Sequence, residues 1–169
     1  MRSSCWHCFF VICRESKSSS RMKNNITGRA GIRINAPVEK VWQALTKPEL
    51  IKKYFFGTNT TTDWQPGSPI TFSGEWQGKK YEDKGTIIDM QENSLIRYSY
   101  WSEMSGIPDK PENYVTITYE LSEENGKTML MITQENIPTE EMKNHSEENW
   151  KKVLNNLKEM LETKELSPL

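Results

Sequence analysis

The sequence predicts an α+β domain in which a curved antiparallel sheet of about seven strands wraps one long C-terminal helix, with two short helices after the first strand. Three observations carry this expectation. From residue 60 to residue 136, apolar residues recur with a period of two, and β-branched and aromatic types dominate. Beyond Pro138 the period becomes 3.6. Between the first strand and the strand-rich stretch, Pro37 and Pro48 each open a short segment with helical spacing.

The elements follow in order. Ile32 and Ile34 alternate with Arg33 and stop at Asn35-Ala36-Pro37, a short strand running into a helix start. Pro37 suits the first helical position, where no amide bond is lost. Val38, Val41, Trp42 and Leu45 then form one apolar helix face. Pro48 ends that helix and begins a second, whose Leu50, Ile51, Tyr54 and Phe55 are apolar and which Gly57 stops. Strands are expected at 60–64, 70–76, 81–90, 95–101, 114–121 and 128–135, with a loop at 102–111. Pro66-Gly67 and Gln77-Gly78 break two of the turns, and Asn125-Gly126 supplies the positive φ angles of a tight hairpin. In the fifth of these strands Val115, Ile117, Tyr119 and Leu121 alternate with Thr116, Thr118 and Glu120, so one face is dry and the other wet. The strands at 95–101 and 128–135 carry apolar residues in both phases, which leaves their inner faces unassigned. In the last element Trp150, Val153, Leu154, Leu157, Met160 and Leu161 share one face, and Lys151, Lys152, Asn155, Asn156, Lys158 and Glu159 the other. Ser146 suits its N-cap, with Glu147 and Glu148 in the first turn, although the helix can start as early as Thr139.

Composition bounds the function. The chain has 169 residues, one domain by length, with 22 basic and 23 acidic side chains. A formal charge of -1 argues against binding a phosphate backbone, so no nucleic-acid partner is expected. No run reaches the ~18–20 apolar residues that span a bilayer, and no membrane role is expected. All three cysteines (Cys5, Cys8 and Cys13) lie in the first thirteen residues, and residues 1–21 carry a net +3. Cys5-x-x-Cys8 beside His7 lacks the second pair that would complete a four-ligand shell, so no metal is expected. Residues 1–24 are expected to be a disordered extension ahead of a domain at 25–165, with Met22 as the true start. A domain without cysteine needs no oxidising compartment, which fits the cytoplasm.

Geometry raises the question of a cavity. Seven strands at ~4.8 Å spacing make a sheet roughly 29 Å across, whereas a helix with its side chains is only ~10–12 Å wide. The sheet must curl, and the remaining space is filled by large side chains or left as a cavity beneath the short helices. An aromatic-rich core needs no ligand.

The segment Ile34-Asn35-Ala36-Pro37-Val38-Glu39-Lys40-Val41-Trp42-Gln43-Ala44-Leu45-Thr46 resembles the opening signature of START-like, helix-grip proteins of the SRPBCC superfamily. More narrowly, it resembles the branch named for the activator of the heat-shock ATPase, the AHSA-type domain. Pro48-Glu49-Leu50 and Tyr54-Phe55 are similar to that family's second short helix. Gly85-Thr86-Ile87-Ile88-Asp89-Met90 leading to Leu95-Ile96-Arg97-Tyr98 is similar to its central hairpin, and His145-Ser146-Glu147-Glu148-Asn149-Trp150 to its closing helix. The resemblance implies a helix-grip fold whose internal cavity, between sheet and C-terminal helix, takes an apolar or amphipathic small molecule. The cavity candidates are Trp42, Tyr54, Phe72, Trp76, Tyr98, Tyr100, Tyr114, Trp150 and Leu154. Tyr98 or Tyr100 would orient a carbonyl or hydroxyl of the ligand.

Catalytic residues, cofactors and metals are not expected. His145 precedes the long helix and reads as a capping or surface residue, and the Glu140/Glu141 and Glu147/Glu148 pairs as solvated turns. No zinc-protease, paired Cys-x-x-Cys, phosphate-loop or dinucleotide motif is present. Two alternatives stay open: a cyclase- or hydrolase-like enzyme, which needs a carboxylate, Tyr or His inside the cavity, and a module contacting a chaperone ATPase.

Overall fold

Strand β1 (Ile26–Ile34) runs directly into helix α1 (Val38–Thr46), and helix α2 (Pro48–Tyr54) follows. A computed structural model describes residues 25–163. The expectations for residues 1–24, including the Cys5-x-x-Cys8 motif and the start at Met22, lie outside the described residues. The remaining elements are β2 (Asn59–Thr61), β3 (Pro69–Trp76), β4 (Lys79–Gln91), β5 (Leu95–Tyr100), β6 (Val115–Glu124), β7 (Lys127–Ile137) and α3 (Glu140–Thr163). The sheet order is β1-β7-β6-β5-β4-β3-β2 and every neighbouring pair is antiparallel, so β2 to β7 form a meander onto which β1 adds beside β7. Seven strands on one side of a single long helix give the predicted α+β helix-grip architecture.

Local chemistry sets the turns. Gln77-Gly78 and Asn125-Gly126 each place two successive residues at positive φ, the requirement of a two-residue hairpin turn that follows the strand twist. The second strand is shorter than its sequence pattern suggests. Trp64 takes a φ of 55° and leaves the ladder, so β2 ends at Thr61. The first strand is longer, starting at Ile26; Gly28 and Ala30 are buried along it, and a Cβ at Gly28 would press on Ile137 of β7 at 3.2 Å. Ser146 is not the N-cap of α3. The helix starts six residues earlier, where the Thr139 hydroxyl accepts from Met142 N at 3.2 Å. The N-terminus of α1 is capped from a distance, since Val38 N donates to Glu123 Oε2 at 2.7 Å.

Strand β4 changes partner along its length. Its first half pairs with β3 and its second with β5, with a register shift between Ile87 and Asp89. Gly85 sits just before the changeover, where a Cβ would overlap the carbonyl oxygen of Ser99. The helix α3 lies along the edge strand β1. Arg29 N donates to Glu147 Oε1 (3.0 Å), Asn35 N to Glu162 Oε1 (2.8 Å), and Lys158 Nζ to the Arg33 carbonyl (3.0 Å). Side chains of the helix thus occupy backbone groups that an exposed edge would offer to another chain.

The Gly85→Ala substitution is expected to destabilise by more than about 4 kcal/mol, because its obstruction is backbone and cannot rotate away. Chemical denaturation of the variant beside the parent measures this.

Candidate functional site

The interior is built from rings that reach from α3 across the concave face. Trp150 is buried, and its indole Nε1 donates to Gln134 Oε1 at 3.0 Å. The Ser146 hydroxyl donates to the same oxygen at 2.7 Å. From Trp150, edge-on contacts continue to Phe55 (6.2 Å between centroids) and Tyr119 (5.8 Å). Tyr119 meets Tyr98 edge-on at 5.8 Å, and their hydroxyls are 3.0 Å apart. Tyr98 then meets Phe72 at 5.7 Å, and Phe72 meets Tyr100 at 5.9 Å. Such edge-on and tilted pairs satisfy the ring quadrupoles. Burial pushes the phenols of Tyr54, Tyr98 and Tyr119 well above their ordinary value, so they act as neutral donors and acceptors.

These rings occupy the span between sheet and C-terminal helix where the cavity was expected. An internal space of about 20 Å³ remains beneath α1 and α2, lined on the helix side by Leu45, Ile51, Tyr54 and Phe55 and on the sheet side by Thr60, Ile70, Phe72, Ile96, Tyr98 and Tyr119, with Trp64 beside them. That volume holds about one water molecule. The Thr60 hydroxyl is buried without a hydrogen-bond partner. An unmatched buried polar group costs about 1–3 kcal/mol.

The sequence candidates distribute as follows. Tyr54, Phe72 and Tyr98 line the space. Tyr100, Trp150 and Leu154 are buried in the core around it. Trp42 packs half-buried against the core from α1, and Trp76 lies half-buried at the end of β3, in the phase of Ile70 and Phe72. Tyr114 lies elsewhere. It is in the opposite phase to Val115 and Ile117, and its ring stacks on Trp101 (6.5 Å, 27°) on the convex side. There the Tyr114 hydroxyl donates to Asp109 at 2.7 Å, and Lys84 pairs with Asp109 and lies over the Trp101 ring. The group pins the 102–114 loop rather than lining an interior.

Two polar groups escaped the sequence reading, and a third, His145, was read there as a capping or surface residue. Asp83 is fully buried on β4, in register with Phe72, which is in turn in register with Thr60. The Tyr100 hydroxyl donates to Asp83 Oδ2 at 2.6 Å. Burial pushes the Asp83 carboxyl up to about 6, against the opposing hydrogen bonds from Ser102 and Tyr100. One row below, the Tyr81 ring crosses Gly74, where a Cβ would come within 2.5 Å of the phenol oxygen, and its hydroxyl meets Thr58 Oγ1 at 3.0 Å. The other two groups lie on α3. Asn149 Nδ2 and His145 Nε2 are enclosed and lack partners. His145 is therefore not a cap, since the helix begins at Glu140, and it is half-buried with its Nε2 enclosed. The signals were present: Asp83 shares the phase of Tyr81 and Ile87, and Asn149 adjoins Trp150 and Val153 on the apolar face.

Among the described residues no group of His, Cys, Asp and Glu is placed to hold a metal ion, and no helix is long and apolar enough to cross a membrane. An antiparallel sheet gripping a terminal helix around an aromatic interior defines a START-like, helix-grip protein of the SRPBCC class. The chain belongs to the family described as Activator of Hsp90 ATPase homolog 1-like protein, whose model matches residues 35–162. A solution structure from Cytophaga hutchinsonii is 45% identical, with a TM-score of 0.76 over 86% of this chain and 100% of that one. The crystal structure of protein MLL2253 from Mesorhizobium loti is 19% identical, with a TM-score of 0.68 over 82% of this chain and 98% of that one. The solution structure of the Aha1 dimer from Colwellia psychrerythraea is 21% identical, with a TM-score of 0.61 over 79% of this chain and 94% of that one. These last two share the fold. No curated protein sequence matches the chain.

Two outcomes follow from this geometry. Asp83 keeps its proton to a higher pH when folded than the ordinary value of 3.8 allows, so the folded state binds more protons between about pH 4 and 6. The Asp83 contribution to stability is complete below that window and is lost as pH rises through it, by about 3 kcal/mol. Denaturation midpoints from pH 3.5 to 7.5 are expected to show this fall relative to Asp83→Asn, which titrates nothing there. Gln134→Leu leaves the Ser146 hydroxyl and the Trp150 indole N–H buried without their shared acceptor. A loss of about 2–4 kcal/mol is expected in the same assay.

Proposed function

We propose that this protein binds a small apolar or amphipathic molecule in the aromatic interior beneath α1 and α2. The observation that carries this reading is the space at Thr60: ring-lined walls around one buried hydroxyl that no protein group satisfies. Apolar walls with a few placed polar groups are the general composition of a ligand site. Its present volume is water-sized, so admission requires the cover to move. The connection from α2 to β2 and β3 has the joints for this, with Phe56, Gly57 and Trp64 all at positive φ. Burial of ligand surface contributes about 25 cal/mol per Å², and Thr60 and the Tyr54 and Tyr98 phenols supply the polar contacts. The cytoplasm is the expected location.

A second reading is contact with a heat-shock ATPase, as the family's description suggests. Among the described residues the exposed large apolar side chains are Phe56 and Ile88, on separate elements, which favours an interior site over a docking patch. An enzymatic reading on the same fold would use Asp83 and Tyr100 as the proton-handling pair.

Titration of the full chain with naphthalene, followed by amide and aromatic NMR shifts, tests the proposal. Saturable shifts at Ile51, Tyr54, Thr60 and Tyr98 are expected. Phe72→Ala is expected to tighten binding while costing about 3–5 kcal/mol of stability, since dry cavities on the order of 150 Å³ accept a benzene-sized ring. Absence of saturable shifts in both proteins would overturn the reading.

A further inference from the structure

The two partnerless nitrogens on α3 lie one turn apart, at positions i and i+4, on the same flank of the helix. Contacts around the helix fix which way that flank faces. Lys143 and Glu147 lie against Gly28, and Glu147, Lys158 and Glu162 bond the β1 segment, so that flank is closed. Ser146 and Trp150 point down onto Gln134 of β7. The flank opposite β1 carries His145, Asn149, Val153 and Asn156, and the Asn156 amide donates to the carbonyl of Tyr54, at the end of α2. Asn149 and His145 thus lie on the flank of α3 that meets the end of α2 at Asn156, two and three turns toward the helix N-terminus. Asn149 is only 4% exposed, and its Nδ2 is enclosed without a protein acceptor.

An amide NH₂ can only donate, and an imidazole Nε2 that carries the ring proton donates too. Cβ atoms at this spacing are about 5–6 Å apart, so both side chains can converge on one acceptor group. We propose that Asn149 and His145 form the polar end of the binding site and receive a carboxylate on an otherwise apolar ligand. This rests on the ligand-binding reading above and adds its chemical class: an apolar or aromatic carboxylic acid, with its hydrocarbon part directed toward the rings of Phe55 and Trp150. Ser146 and Trp150 cannot serve this role, because Gln134 already takes both.

The test compares 1-naphthoic acid, 1-naphthalenemethanol and naphthalene on the full chain at pH 7, by titration calorimetry and by NMR of the Asn149 side-chain amide and the His145 ring. The acid is expected to bind at least about tenfold more tightly than naphthalene, and to be the one probe that displaces both sets of resonances. Asn149→Leu and His145→Phe, made separately, are expected to bring the acid to within about twofold of naphthalene measured on the same variant. Equal affinity for the three probes, or a preferred acid that leaves the Asn149 amide unmoved, would overturn the carboxylate site and leave the ligand-binding reading standing. Failure of all three to bind would overturn both.

Discussion

The side-chain oxygen of Gln134 accepts two hydrogen bonds at once, from the Ser146 hydroxyl and the Trp150 indole, and through them the long helix is set on the sheet. Hydrophobic contact alone is non-directional and would let a helix slide or roll over a concave apolar face. A buried acceptor shared by two donors does not permit this, because any displacement leaves polar groups unsatisfied in an apolar interior. The position of Trp150 then decides the rest of the ring series, since Phe55 and Tyr119 both pack edge-on against it. The same contact fixes which flank of α3 faces α2, and so where Asn149 and His145 are presented.

The outer side of α3 performs a different task. By bonding the backbone at Arg29, Arg33 and Asn35 it covers the free edge of β1, which would otherwise be a template for strand addition. At the other end of the sheet β2 has only three residues, too short to offer much of an edge. Between these ends, at Gly85, the backbones of β4 and β5 approach too closely for any side chain.

The aromatic interior resolves the mismatch between a broad sheet and a narrow helix mostly by filling it. Its polar content is unusual for a purely structural core. Tyr98 and Tyr119 satisfy each other, and Tyr100 and Ser102 hold Asp83, whereas the Thr60 hydroxyl, Asn149 Nδ2 and His145 Nε2 are enclosed without partners. Unmatched buried groups of this kind are destabilising. The proposed binding role would give these groups partners.

Periodicity and turn chemistry made most of the fold legible. Alternation in β6, the helical stripe of α3, the prolines opening α1 and α2, and the Asn125-Gly126 hairpin all depend on neighbours a few residues apart. The family signature was legible for the same reason, because it consists of packing residues in short segments. The site was legible only in part. Tyr54, Phe72 and Tyr98 were recognisable as inward aromatics, but Tyr114 was assigned to the interior although strand phase turns it to the convex face. Asp83 was passed over although it shares the phase of Tyr81 and Ile87, and Gln134 is placed inside only by the ladder, in the buried phase of β7. By itself, then, the sequence determined the order and type of the elements and the family, since these follow from local backbone preference and short-range pattern. The tertiary structure alone decided the inner faces of β5 and β7, where the residual space lies, and which polar atoms are enclosed, because each depends on neighbours brought together from distant parts of the chain.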